Sequence, residues 1–419
     1  MAIDRNAFST LYQIYYPDAE LPYLIPENLP LLHMLLGGNT DGQVSGSITD
    51  MPWLFGPATG VSNTFSVAQQ ASNNAPQSIR PQVRLSQLYK LIDFQDKDEL
   101  LSQGEAAYGQ LMEETIKGAR MEFLNQLDQQ CHYNGTGNRG QIASVSGSTW
   151  TLTGSGSVET VFEINQQLVL NSTNLSDGTA PVFQEGPFTI TNVNANGGAL
   201  SITVDHAAVV GGVGSYVAFN GDTAGFSSAL LNPNIIGLDA FNPFTAVSGS
   251  DNFLGVNRSV YPTRLTGYRF DGSQRSVEAA VKRLATLMSQ GGVTAGGAKA
   301  LLNPLDMDQL EDKLASYQRF TQSQLGLFFF DAVALSSPLG RIECVSDPHQ
   351  QQGFGRLVVP GALQLQYKNG LPHLATLSGG IDQEFGQNFD GRSVRMRAYA
   401  QVRCLDPRKL GVVALPAVV

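Results

Sequence analysis

The stretch 102–140, SQGEAAYGQLMEETIKGARMEFLNQLDQQCHYNGTGNRG, constrains the fold more than any other. Met112, Ile116, Ala119, Phe123, Leu127 and Cys131 recur three or four residues apart, which places them on one stripe of an α-helix. Glu113, Glu114, Lys117, Arg120, Glu122 and Asp128 occupy most of the remaining circumference. No proline interrupts the run; Gly104 precedes it, and Asn134-Gly135 followed by Gly137 ends it. About 28 helical residues at about 1.5 Å each give a rod of about 42 Å. The usual helix has about 11–12 residues. A compact enzyme rarely needs such a rod, whereas an extended subunit does.

The chain has 419 residues, enough for two or three domains with sizeable cores. Its formal net charge is −10 and only 15% of residues are charged, which argues against a protein that coats nucleic acid through clustered Lys and Arg. Low charge with 44 glycines and 42% hydrophobic residues points to surfaces buried against partners. Cys131, Cys344 and Cys404 are widely spaced and read as buried free thiols in a reducing compartment. No basic-then-apolar leader opens the chain, and no run approaches the roughly 18 apolar residues of a membrane helix. The expectation is synthesis in a cytoplasm and no membrane partner.

Residues 1–40 carry Pro17, Pro22, Pro26 and Pro30, which bias the backbone away from helix. Tyr12, Tyr15, Tyr16, Tyr23, Leu24 and Ile25 cannot build a core alone, so the segment reads as an arm along another surface or a strap on its own. Residues 41–94 read as a β-hairpin, with VSNTFSVAQQ and QSIRPQVRLSQLYKLIDF as its strands. Ile79, Pro81, Val83 and Leu85 alternate with Arg80, Gln82 and Arg84, a ribbon with one covered side. A two-stranded ribbon is marginal alone in water and needs a neighbour, which makes Arg80 and Arg84 candidate contacts to another subunit. Trp53 to Gly56, WLFG, is an apolar knot that reads as core.

Residues 148–225 change character: Thr, Ser, Asn, Gly and Val dominate and Lys and Arg are absent. TWTLTG, FEINQQLVLN, GPFTITNVNA, GALSITVDH and GSYVAFNG are short alternating segments of a small all-β unit, a barrel inserted into a larger domain. After the loop-rich 226–270, with weak β-segments around VYPTRLTGYRF, helical period returns at 273–290. There Ser273 can cap, and Val277, Val281, Leu284, Leu287 and Met288 form the stripe. ALLN then reads as a strand, Asn303-Pro304 as a turn and Asp306 as the start of another helix. GLFFFDAVAL, GRIECVSD and FGRLVVPGALQLQY have strand composition. In RSVRMRAYAQVRCL, Arg395, Arg397, Tyr399, Gln401 and Arg403 share one face, and Val394, Met396, Ala398, Ala400, Val402 and Cys404 the other. These arginines, with Arg392, would mark a phosphate-binding stripe or pair with Glu105, Glu113, Glu114 and Glu122 of the helix. The acidic balance favours pairing.

Sites of chemistry are not apparent. Gly135, Gly137 and Gly140 form a Gly-x-Gly-x-x-Gly, but a helix precedes it where a dinucleotide fingerprint needs a strand. There is no Gly-x-Ser-x-Gly, His-Glu-x-x-His or Cys-x-x-Cys. His33, His132, His206, His349 and His373 are scattered singly and read as structural. His206 beside Asp205 reads as a solvated loop pair, and His132 sits at a helix end where a cation is favoured. No catalytic residue, metal ligand or cofactor is expected, and the chain reads as a non-enzyme.

The order of these elements resembles the major capsid protein of tailed bacteriophages, the Hong Kong-97-type α+β fold, carried by the helix and its NGTGNRGQIASV exit, the ALLNPLDMDQL step and RSVRMRAYAQVRCLDP. The resemblance implies an N-terminal arm at 1–40, an extended loop at 41–94, and the spine helix with the first part of a peripheral domain at 95–147. It then implies a peripheral segment at 226–272, an axial domain with adjoining peripheral segments at 273–385, and a terminal peripheral strand at 386–419. The barrel at 148–225 departs from the core pattern as an insertion domain. The family further implies hexamers and pentamers tiling an icosahedral shell around double-stranded DNA, held without sequence-specific binding. Portal, scaffold and decoration proteins would be the other partners, and the virion capsid, assembled in the host cytoplasm, the location. An encapsulin-like shell of the same fold and a β-rich surface binding module are the competing readings. Some relatives crosslink through a lysine of the extended loop, yet no lysine lies between Gln43 and Tyr89. Boiled, detergent-treated particles are therefore expected to run as single subunits on a gel; a ladder of multimers would contradict this.

Overall fold

The long helix spans Glu105–His132, 28 residues without a break. The computed structural model describes residues 29–37, 48–56, 61–71, 77–95, 105–153, 161–172, 183–194, 200–209, 212–222, 234–247, 252–294, 296–317, 333–374, 376–377, 380–381, 383–385 and 391–416. Ala119, Phe123, Leu127 and Cys131 of the apolar stripe are buried. Their partner is the strand Gly391–Cys404. Ala119 and Phe123 pack with Val394, Met396 and Ala398, and Ile92 and Phe94 of the strand Ser86–Gln95 complete that cluster. Leu127 and Cys131 continue the contact onto Ala400, Val402 and Cys404. Ser86–Gln95 pairs antiparallel along one edge of the terminal strand. Leu363–Leu374 and Gln383–Phe385 pair along the other.

The same core takes in Leu31, Leu32 and Leu35 from a helix at Pro30–Gly37. The prolines suggested a non-helical arm here, but Pro30 occupies the first helical position, where its missing N–H costs nothing. The rest of the expected arm, residues 1–28 and 38–40, lies outside the described residues.

The ribbon uses a different strand from the one expected. Its first strand is not 61–70, most of which belongs to the helix Phe65–Ala71. Instead Ile48–Asp50 pairs with Gln82–Arg84, and Trp53–Gly56 pairs with Gln77–Ile79. VSNTFSVAQQ lacks strict alternation, and the Ser62 hydroxyl accepts the Thr64 N–H at 3.1 Å, a local turn that competes with a strand. Met51, Trp53 and Val83 root the ribbon in the main core. Trp53 Nε1 also donates to the Cys404 carbonyl at 2.9 Å.

A six-stranded mixed sheet runs in the order Tyr268–Asp271, Leu410–Ala414, Phe354–Val358, Ala298–Leu302, Gly340–Ser346, Val333–Ser337. The helix Val277–Gln290 covers it with Val277, Ala280, Val281, Leu284, Ala285 and Met288. Its cap is Ser276, not Ser273: Ser276 has extended backbone and accepts the Ala279 N–H, while the Ser273 N–H is bonded to Asp271. Likewise the helix Pro304–Tyr317 starts before Asp306, because Asn303 accepts the Leu305 N–H at 3.0 Å and Pro304 follows it. The stretch VYPTRL is a helical turn, Pro262–Thr266, rather than a strand. GLFFFD, residues 326–331, lies outside the described residues.

A closed six-stranded barrel forms the third unit, in the order Ser201–Val204, Thr149–Thr153, Asn138–Ser146, Tyr216–Phe219, Gln167–Asn171, Phe183–Asn194. It begins at Asn138, ten residues upstream of the expected boundary, since Asn138–Ser146 is polar and its one large inward apolar residue is Ile142. Trp150 and Phe188 meet edge to face at 4.9 Å in the interior. The chain enters and leaves at one end. There Arg139, buried, bonds Asp222 at 2.9 Å and lies over Tyr133 and Phe219. The entering turn needs Gly137, whose φ is +82° and whose Cβ would stand 2.9 Å from Asn234. Gly135 and Gly137 thus serve a helix-to-barrel turn, and Gly140 lies within the barrel strand, opposite Val217.

The two faces of the terminal sheet should differ in energy. Phe123→Ala, at 3% exposure, should cost about 3–5 kcal/mol in urea unfolding of the unassembled subunit. Leu91→Ala, 56% exposed on the opposite face, should cost less than about 1 kcal/mol.

Candidate functional site

Among the described residues, the terminal sheet's outer face and the ribbon are surfaces this packing leaves open. Alternation along Gly391–Cys404 sends Val394, Met396 and Ala398 to the helix and Arg395, Arg397 and Tyr399 the other way. Of the helix carboxylates expected to meet Arg395, Arg397 and Arg403, Glu122 instead pairs with Lys90. The face that meets the helix is the apolar one, and its cation comes from the neighbouring strand. Lys90 stands opposite Met396 in the ladder and reaches Glu122 at 2.6 Å. The side chains of Glu105 and Glu113 lie outside the described residues, and Glu114 is half-buried. On the outer face Tyr89 stands opposite Arg397, its hydroxyl 3.4 Å from that of Tyr399, and the Arg397 guanidinium lies 5.9 Å from the Tyr399 ring. Arg403 stands opposite Gln364.

On the ribbon, Arg80 is exposed and Arg84 half-buried. Its more telling feature is apolar. Leu54, Val61, Phe65 and Val67 are all exposed, Val61 completely and Phe65 at 81%. Trp53 points into the core and Leu54, its neighbour, points out, so the ribbon has one face anchored in its own subunit and one uncovered. Arg264 fixes the ribbon's base by donating to the Phe55 carbonyl at 2.6 Å.

The histidines are not all scattered. His132, on the last turn of the long helix, and His349 converge with Asp128 and Asp347, all four buried. Asp128 and His132 share a helix face by their spacing of four, a signal visible in the sequence. Their meeting with Asp347 and His349 was not visible. Burial pushes the Asp128 carboxyl up, but its bonds to His132 and His349 and their charge hold it well below the usual carboxylate range. Burial pushes the His132 imidazole down, and the Asp347 and Asp128 carboxylates more than reverse this, raising it to about 10. His206 and Asp205 form an exposed pair on the barrel at 2.7 Å. The three cysteines are buried and free.

The fold is similar to that of a protein in the Cyanophage A-1(L) capsid asymmetric unit, with TM-score 0.53 and 12% identity over 96% of each chain. Weaker likenesses are the capsid of a native GTA particle (TM-score 0.45, 10% identity, 100% of each chain) and the holo-SrpI encapsulin complex from Synechococcus elongatus (0.42, 8%, 99% and 96%). No family model and no curated protein matches the sequence. The first likeness shows the fold: this chain has the mixed helix-and-sheet fold of a phage capsid protein.

The Lys90–Glu122 pair is about one-third exposed at each end, so it is worth less than about 1 kcal/mol. Glu122→Gln should lower subunit stability by no more than that amount, while Glu122→Lys adds repulsion with Lys90 that Lys90→Glu should relieve. Failure of the double exchange to restore stability would mean that Glu122 has another partner.

Proposed function

We propose that this chain is the major capsid protein of a tailed-phage-type head, assembling as hexamers and pentamers into an icosahedral shell around double-stranded DNA. The observation that carries this reading is the likeness to a phage capsid protein along 96% of both chains. The exposed ribbon supports it physically. A lone ribbon that uncovers Leu54, Val61, Phe65 and Val67 is unfavourable in water and is stabilised when a neighbouring copy covers it. In this reading the ribbon is the extended loop, the long helix is the spine, and the barrel is an insertion whose ends meet at Arg139 and Asp222. Arg80 and Arg84 lie at the ribbon's edge toward the neighbour. The six-stranded sheet with its covering helices belongs to the axial domain. The arginine and tyrosine face of the terminal sheet is left for contacts between subunits. A net charge of −10 suits a container that does not grip its contents. The shell would be built in the host cytoplasm, with portal, scaffold and decoration proteins as further partners, and it performs no catalysis.

Light scattering and electron microscopy of the purified full-length chain should show capsomers or megadalton shells. A monomer at every concentration would overturn the reading. Phe65→Ser with Val67→Ser should leave circular dichroism unchanged and abolish shells; normal shell yield would remove the ribbon from the interface. Nuclease-protected DNA in particles from infected cells separates a genome container from a shell for protein cargo.

A further inference from the structure

We propose that Asp128, His132, Asp347 and His349 form a structural zinc site that ties three segments of the subunit together. The donor set is two imidazoles and two carboxylates, and one candidate ligand atom from each lies within 4.8 Å of all the others. Such N/O donors suit a four-coordinate zinc ion. Four donors about 2.0–2.2 Å from one ion stand about 3.3–3.6 Å apart. Here Asp128 Oδ2 is 2.7 Å from His349 Nδ1 and 3.7 Å from His132 Nε2, and His132 Nε2 is 3.1 Å from Asp347 Oδ2. These separations bracket the tetrahedral value.

Asp128 Oδ2 and His349 Nδ1 are within hydrogen-bond distance of each other, but two further observations point to an ion. His132 Nε2 and Asp347 Oδ2 are close, yet neither atom has a hydrogen-bond partner, so both are aimed into the cluster without satisfying each other. The carboxylates are also oriented from outside. Asp128 Oδ1 accepts the Leu32 N–H at 2.8 Å, and Asp347 Oδ1 accepts the His349 N–H at 3.0 Å. Each thus keeps its second oxygen inward, as outer-shell bonds do around metal ligands. Exposures of 0% for Asp128 and Asp347, 6% for His132 and 2% for His349 leave no water to neutralise the charge. On binding, a divalent cation would displace the imidazole proton and cancel the charge of the two carboxylates. The ion would join the end of the long helix, the chain after the strand Gly340–Ser346 and, through Leu32, the helix Pro30–Gly37. A buried site of this kind binds as the chain folds and adds to its stability.

The untagged full-length chain, stripped with EDTA and reloaded with Zn2+ alone, tests the proposal. Metal analysis after gel filtration should give about one zinc per chain, chelation should lower the melting temperature, and zinc should restore it. Co2+ in place of zinc should show the intense visible bands of a four-coordinate ion. His132→Asn and His349→Asn should each lose the bound metal, while His206→Asn keeps it. Where a variant fails to fold, the metal content and the Co2+ spectrum of the wild-type chain decide. A folded wild-type chain without stoichiometric zinc, the weak spectrum of six-coordinate Co2+, or zinc retained by both ligand variants would overturn it. None of these readouts depends on shell assembly, so the site and the capsid reading fail separately.

Discussion

The contact between the stripe of the helix Glu105–His132 and the apolar face of Gly391–Cys404 sets most of what surrounds it. Phe123 and Leu127 are nearly inaccessible, so the helix cannot rotate without exposing them. That orientation decides the other face of the strand. Since successive side chains alternate, burying Val394, Met396 and Ala398 turns Arg395 and Arg397 outward. The same contact docks the end of the chain onto its middle, and Ser86–Gln95 is drawn in along the free edge. Charge follows packing here: the carboxylate of Glu122 takes the cation that the ladder brings near it, Lys90, although the terminal strand is richer in arginine.

The barrel and the ribbon solve the same problem in opposite ways. A two-stranded ribbon leaves one face uncovered, whereas a closed barrel has no edge strands and wraps its apolar side chains around its own axis. Trp150, Phe188, Ile190 and Ile202 fill that axis, and the Arg139–Asp222 pair ties the barrel's two ends together. The ribbon sinks Met51, Trp53 and Val83 into the main core and leaves Leu54 and Phe65 in solvent. The barrel closes on itself within one chain, while the ribbon leaves one face uncovered among the described residues.

The end of the long helix is a junction as well as a terminus. Asp128 accepts a backbone donor from the first turn of Pro30–Gly37, which would otherwise lack an intrahelical partner. Ile235 donates to Gln130, and Gly237 donates to the Tyr133 carbonyl, so the chain leaving the barrel is stitched to the same place. Gly237 fits there because a Cβ would stand 2.2 Å from the Cys131 carbonyl oxygen. With Asp347 and His349, which reach the same turn, four distant stretches of sequence, the helix itself included, meet here.

What the sequence determined by itself is periodic and local. The stripe from Ile116 to Cys131, the alternation from Val394 to Cys404, the step through Asn303 and Pro304, and five of the six barrel strands were legible because periodicity and turn chemistry act between near neighbours. The elements it misplaced, the helix Phe65–Ala71 and the barrel strand Asn138–Ser146, have mixed polar composition, and their state depends on what they touch. Only the tertiary structure decided that Glu122 meets Lys90, that Trp53 reaches Cys404, and that Asp128 meets His349, 221 residues away. No local signal encodes such pairs. They follow from which apolar faces bury one another, and charged groups take the partners that this burial leaves within reach.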